Sequence, residues 1–236
     1  MSELAVVAVG LDGDDTLWHS ETHFHAAQDR YRALVGRWSD LDRADLDRRL
    51  LEVERANLEI FGYGVKAFTL SLVETAVEVS GGRIPGSAIR EVLDLGKELL
   101  RHPVELLDGA EAAVDALAGR VRLVVVTKGD LLHQEAKVAR SGLADRFDAV
   151  EVVAEKDDAT YRRVLARQGV DPSGFVMVGN SVASDVLPVL SAGGRAVHVP
   201  YHLRWELDHA EADAAEHGFG VLESLHELPA HLEAMR

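Results

Sequence analysis

Five short valine-rich runs constrain this chain more than anything else in it: AVVAVGL (5–11), VRLVVVT (121–127), FDAVEVV (147–153), FVMVGN (175–180) and RAVHVP (195–200). Near-continuous apolar runs of this length suit strands buried on both faces, the environment of a parallel sheet. Helical patterns lie between the later runs. LLHQEAKVARSGL (131–143), DDATYRRVLARQG (157–169) and ASDVLPVLSAGG (183–194) each stop at or beside a glycine, and Pro188 is tolerable in a first turn. This alternation predicts a doubly wound α/β sheet with ligands at the carboxyl ends of its strands.

The alternation breaks once. About 110 residues separate the first two runs, too many for a single crossover. Apolar residues there recur at helical spacing: Phe24, Ala27, Tyr31 and Leu34; Leu46, Leu50, Val53 and Phe61; Phe68, Leu72 and Val79; Ile89, Val92, Leu99 and Leu100. The reading is a helical insertion over residues 20–104 in a core made of 1–19 and 105–236, placed to cover whatever ends the first strand, with hinges near 18–21 and 102–108. The tail predicts a helix, an edge strand around Gly220–Leu222 and a last helix.

What ends the first strand is DGDDT, with carboxylates at Asp12, Asp14 and Asp15. In an extended chain Asp12, Asp14 and Thr16 face one way and Asp15 the other. Like charges this close demand a counterion or a retained proton. A hard cation such as Mg²⁺, bound through oxygen, would satisfy them. The other strand ends contribute Thr127 and Lys128, then Lys156, then GNSVASD with Asn180 and Asp185. In a doubly wound sheet these ends converge, and the assembled groups suit an anionic phosphoryl group bridged by a metal. Plainer readings stand beside each residue taken alone. They are a solvated turn for Asp12 and Asp14, a helix N-cap for Thr127, and a surface position for Lys156 and Lys128. Asp185 is equally a first-turn acid favoured by the helix dipole, and Asn180 a turn former.

This constellation resembles the haloacid dehalogenase-like (HAD) hydrolase superfamily. The matching pieces are D-x-D-x-T (Asp12, Asp14, Thr16), the strand-end Thr127, Lys156, and the glycine-led stretch ending at Asp185, in that order, each after a predicted strand. Residues 20–104 stand in the place of the family's α-helical cap, beside a Rossmann-like core. The resemblance implies a phosphomonoester hydrolase working through an aspartyl-phosphate. Asp12 would be the nucleophile. Asp14 would be the general acid/base, with a raised pKa so that it enters protonated. Thr127 would hold a phosphoryl oxygen, and Lys156 would neutralise charge. Lys128 is a second candidate for the phosphate. Mg²⁺ would be held by the Asp12 carboxylate, the Asp14 backbone carbonyl and Asp185, with Asn180 where the family usually has an aspartate. Gly13 replaces a bulkier residue and is expected to loosen the loop. Asp157 stands where proline is common.

Composition narrows the remaining classes. A formal net charge of −15 disfavours nucleic-acid and anionic-membrane binding. The lack of cysteine rules out disulfides and cysteine-ligated zinc and fits a cytoplasmic location. The apolar start lacks a cationic lead and reads as a strand, not a signal peptide. No apolar run is long enough to span a bilayer. The expected partner is a small phosphorylated molecule. Metal-free 2-haloacid dehalogenation, also found in the superfamily, is the alternative enzyme reading. A phospho-acceptor or binding-only protein is the non-hydrolytic one, although receiver domains are about half this length and place their acceptor on a later strand. His19 and His23, four apart, are a weak zinc pair, and the EF-hand reading fails because Leu17 and His23 stand where glycine and glutamate are required.

Overall fold

The computed structural model describes residues 6–235 other than Arg204, His209 and Glu211. Ala5, the first residue of the first predicted strand, lies outside them. The strands are β1 (Ala8–Leu11), β2 (Arg122–Lys128), β3 (Ala149–Val153), β4 (Phe175–Gly179), β5 (Arg195–His198) and β6 (Gly220–Val221). All pair in parallel, in the order β3-β2-β1-β4-β5-β6. β1, which carries the aspartates at its end, is therefore flanked by β2 and β4. The helices are α1 (Glu21–Val35), α2 (Arg43–Phe61), α3 (Val65–Val79), α4 (Gly86–Arg101), α5 (Ala110–Leu117), α6 (Leu131–Arg140), α7 (Asp158–Gln168), α8 (Leu187–Ser191), α9 (Ala214–His217) and α10 (Leu228–Ala234). Among the described residues no helix is long and apolar enough to cross a membrane.

Pleating divides the valines between two cores. Val9, Leu11, Leu123, Val125, Val176, Val178 and Val197 face α5, Val138 of α6, and Leu228 and Leu232 of α10. Ala8, Val124, Val126, Phe175 and Met177 face Tyr161, Val164 and Leu165 of α7 and Val189 of α8. Both-face burial is why β1, β2, β4 and β5 read as unbroken apolar runs.

The chain divides into two compact units, Met1–Glu21 with Val104–Arg236, and Thr22–Pro103. In the first, the outgoing and returning chains run side by side: Trp18 bridges to Leu106, and the Leu107 N–H donates to the Leu17 carbonyl (2.9 Å). The second is helical. Tyr31, Leu34, Leu46, Leu50, Phe68, Leu72, Val92 and Leu99 form its core, with Phe24 edge-on to Phe68. Phe61, expected in that core, is 51% exposed, because it lies past Asn57, the last buried position of α2.

One predicted helix is broken. Over 183–194 the chain forms a widened turn, Val182–Val186, and only then the short α8. Pro188 has no N–H to give the Ser184 carbonyl four residues back. That carbonyl accepts the Tyr161 hydroxyl instead (2.9 Å).

Candidate active site

Beyond Leu11 the chain leaves the sheet and turns sharply. The Gly13 carbonyl accepts the N–H groups of Leu17 (2.8 Å) and Trp18 (3.2 Å), and Asp15 sits in the left-handed region at φ 62°. The Trp18 ring fills the space over Gly13, where an added Cβ would lie 2.7 Å from Cζ2. Gly13 therefore makes room for an indole and does not loosen the loop.

The turn sends the three carboxylates to three different partners. Asp12 and Asp185 are both buried, and the buried Lys156 ammonium bridges them, 2.5 Å from Asp12 Oδ1 and 2.6 Å from Asp185 Oδ1. Asp12 Oδ2 accepts the Thr16 hydroxyl (3.1 Å), and Asp185 Oδ2 accepts the Ser181 N–H (3.0 Å). Asp185 packs against a bare backbone, since a Cβ on Gly179 would lie 2.2 Å from its Cγ. Burial pushes the Asp12 carboxyl up to about 7, with the Asp185 charge adding to the rise and Lys156 opposing it. Lys156 is held far above its ordinary range: burial lowers it, but the two carboxylates outweigh burial.

Asp14 departs from expectation. Lys137 of α6 straddles its carboxylate, 2.5 Å from Oδ1 and 2.7 Å from Oδ2. Gln134 Nε2 donates to Oδ2 (2.9 Å) and Trp18 Nε1 to Oδ1 (2.7 Å). Burial is the largest influence and raises Asp14, but the charge and hydrogen bonds of Lys137, with Gln134 and Trp18, hold it below its ordinary value. The raised pKa expected for Asp14 is overturned, because crowding fixes the number of charges and not which cation faces which. The third carboxylate, Asp15, accepts the backbone N–H groups of Ser20 (2.9 Å) and Glu21 (3.0 Å), while burial and then the Asp14 charge push it up to about 7.

Lys137→Met tests the Asp14 pairing. Burial would remain and the main lowering influence would go, so the Asp14 carboxyl should titrate higher in a ¹³C experiment. A carboxyl held low adds stability that is complete above its ordinary 3.8 and is lost as pH falls through its lower folded value. The variant should lose about 2–3 kcal/mol near neutral pH and almost nothing in strong acid. An unchanged urea midpoint at neutral pH would contradict the pairing.

The remaining predicted residues lie around this centre. Thr127 is buried at the end of β2, its hydroxyl 3.4 Å from where a Cβ on Gly13 would sit. It caps no helix: Asp130 caps α6. Lys128 Nζ is directed at Ser184 Oγ (2.9 Å) and Asp208 Oδ1 (3.0 Å). Asp157 caps α7, accepting the Thr160 N–H (2.7 Å). His19 and His23 have separate partners: His19 Nδ1 lies 2.6 Å from the Tyr201 hydroxyl, and His23 stacks on His102. Lys137, Gln134, Ser184, Tyr161 and Asp208 were not among the sequence candidates. The signal available for α6 was Gln134 and Lys137, one turn apart on a helix face that is otherwise buried by Val138.

Among the described residues no three His, Cys, Asp or Glu side chains gather into a metal-holding set. The oxygens that face one another belong instead to Asp12 Oδ2, the Asp14 carbonyl and the Asn180 amide. With one amide orientation Nδ2 donates to Asp12 Oδ2 (3.3 Å) and to the Asp14 carbonyl (3.1 Å); with the other, Oδ1 faces the same two acceptors. Both separations from the amide are close to the ~3 Å edge of an octahedral Mg²⁺ shell. With Asp185 alongside, this oxygen-only set fits a hard divalent cation.

Comparison with known proteins agrees with this geometry. A model of the haloacid dehalogenase-like hydrolase family matches residues 6–193. A haloacid dehalogenase-like family hydrolase from Xanthomonas campestris is 40% identical and superposes with a TM-score of 0.88, over 98% of this chain and 96% of that one. Pyrimidine 5′-nucleotidase YjjG of Escherichia coli is 26% identical over 166 residues, 65% of this chain and 71% of the relative. The N-acylneuraminate-9-phosphatase of Mus musculus is 27% identical over 128 residues, and the match spans about half (52%) of each protein. The parallel sheet, the aspartate-ended first strand and the family match over residues 6–193 lead to one conclusion: this chain is a hydrolase and belongs to the haloacid dehalogenase-like family.

Proposed function

We propose that this hydrolase is a Mg²⁺-dependent phosphatase of small phosphorylated metabolites, and that the inserted helical unit is the family's cap domain. The observation that carries the reading is a buried carboxylate, Asp12, held by the Lys156 ammonium beside a second, separate ion pair, Asp14–Lys137. Phosphatase and nucleotidase relatives support it.

Asp12 attacks phosphorus, and the bond from phosphorus to the ester oxygen breaks. The departing oxygen takes a proton from the Lys137 ammonium by way of Asp14, and an alcohol leaves. Water then gives a proton back to that pair and attacks phosphorus. The bond to Asp12 breaks, and phosphate and free carboxylate result. Because Asp14 is ionised, the pair carries the proton that Asp14 alone does not. Thr127 holds a phosphoryl oxygen, and Lys156 and Lys128 supply positive charge around the phosphoryl group. Asp12, the Asp14 carbonyl, Asp185 and Asn180 would hold Mg²⁺, which supplies charge neutralisation to the phosphoryl oxygens.

The ionised Asp14 also favours a second reading, since displacement of halide from carbon by Asp12 needs no leaving-group proton. Both are tested by a panel of phosphomonoesters and short 2-haloacids, each with Mg²⁺ and with chelator. Phosphate release that requires Mg²⁺ is the expected result. Halide release that survives chelation would replace the phosphatase reading.

A further inference from the structure

Asn180 is pinned everywhere except at its amide. It follows β4 directly. Its N–H donates to Thr16 Oγ1 (3.0 Å), and its carbonyl accepts from Nε2 of the buried His198 (3.0 Å). The freedom that remains is a half-turn of the terminal amide, which exchanges an NH₂ for an oxygen at the same point in space. That point lies 3.3 Å from Asp12 Oδ2 and 3.1 Å from the Asp14 carbonyl. With nitrogen inward, two hydrogen bonds form. With oxygen inward, it can accept the Thr16 hydroxyl (3.3 Å), but both of those hydrogen bonds are lost and it faces two other oxygens, an arrangement that a cation favours.

We infer that the Asn180 amide is a metal-exchanged gate: without a divalent cation its NH₂ bridges Asp12 and the Asp14 carbonyl, and the cation binds only as the amide turns its oxygen inward. The inference rests on the Mg²⁺ reading of the site above. Its consequences differ from those of a carboxylate at the same position. The metal competes with two hydrogen bonds, so its affinity is reduced. The metal-free site is satisfied, so it has no need of the ion for stability. An aspartate at 180 would instead put a third carboxylate beside Asp12 and Asp185, with Lys156 the single cation among them.

The test compares the whole wild-type chain with Asn180→Asp, by Mg²⁺ titration calorimetry and by thermal melting in Mg²⁺ and in chelator. Wild type should bind Mg²⁺ at least about tenfold more weakly than the variant. At the same Mg²⁺ concentration wild type should gain less melting temperature over chelator than the variant, which should melt about 5 °C lower in chelator than in Mg²⁺. In ¹⁵N-labelled wild type, one side-chain NH₂ pair, identified by its loss in Asn180→Ser, should move on Mg²⁺ addition, and this readout stands even if Asn180→Asp does not fold. Wild-type binding as tight as the variant's, equal sensitivity of both melts to chelator, or an Asn180 NH₂ pair unmoved at saturating Mg²⁺ would overturn the gate. Failure of both proteins to bind Mg²⁺ would overturn it together with the metal reading. Mg²⁺ binding as expected, with no phosphate released from any ester, would remove the phosphatase reading and leave the gate standing.

Discussion

Asp12→Asn is expected to lower phosphate release by about 10³-fold or more while leaving the protein at least as stable as wild type near neutral pH. The activity half follows from chemistry, since an amide does not replace a carboxylate as nucleophile toward phosphorus. The stability half follows from the site. Burial raises Asp12 to about 7, so the folded protein holds a proton there more tightly than the unfolded chain does. A raised carboxyl makes stability fall as pH climbs from the ordinary 3.8 to about 7. The amide removes that dependence. Lys156 keeps Asp185 as partner, and the Thr16 hydroxyl can still donate to the Asn oxygen. Phosphate release and urea midpoints across pH 4–8 (roughly the window in which a raised carboxyl acts) measure the two halves. Turnover within tenfold of wild type would remove Asp12 from the nucleophile's role. A loss of stability with the activity would make it an ordinary structural acid.

Legibility followed burial. The five valine runs became β1 to β5, with ends displaced by up to two residues among the described residues; β1, β2, β4 and β5 are packed on both faces and leave an unbroken apolar record, whereas β3, at the sheet edge, buries only Val153. The edge strand at Gly220 and Val221 was readable from its place in the tail. Asp12, Lys156 and Asp185 were predicted on separate strand ends, and the parallel order of β1, β3 and β4 brings them within hydrogen-bond reach. What escaped was held by side-chain pairing between elements. Lys137 sits in the last turn of α6, where a cation ordinarily favours the helix dipole, and nothing in the sequence says that its ammonium reaches Asp14. Asp208 lies in a tail without periodicity, yet its carboxylate claims Lys128. Pro188 was visible, but the widened turn it leaves depends on the Tyr161 hydroxyl arriving from α7. The direction of the Asp14 shift was unreadable for the same reason: a row of carboxylates states a repulsion, and only the fold assigns each its counterion.

Lys156→Met should be the most destabilising single change at the site. The lysine side chain is 2% exposed and those of its partners 8% and 1%, so no water takes over the ammonium's work. Removing one member of a buried charge set leaves the others unpaired, at a cost of about 3–5 kcal/mol. Both carboxylates then face burial without a cation, and protonation becomes the way to relieve it. The sign follows: the deficit should be present at high pH and shrink as pH falls through the raised Asp12 pKa, the opposite of the acid-side behaviour expected for Lys137→Met. Lys156→Met combined with Asp185→Asn should recover part of the loss, since one uncompensated charge is gone and the amide oxygen can still accept the Ser181 N–H. The double-mutant coupling therefore isolates the Lys156–Asp185 arm from the Lys156–Asp12 arm. A Lys156→Met urea midpoint within about 1 kcal/mol of wild type would mean that solvent reaches these carboxylates. Asp12 would then be an open, hydrated anion, and burial would not hold its carboxyl up.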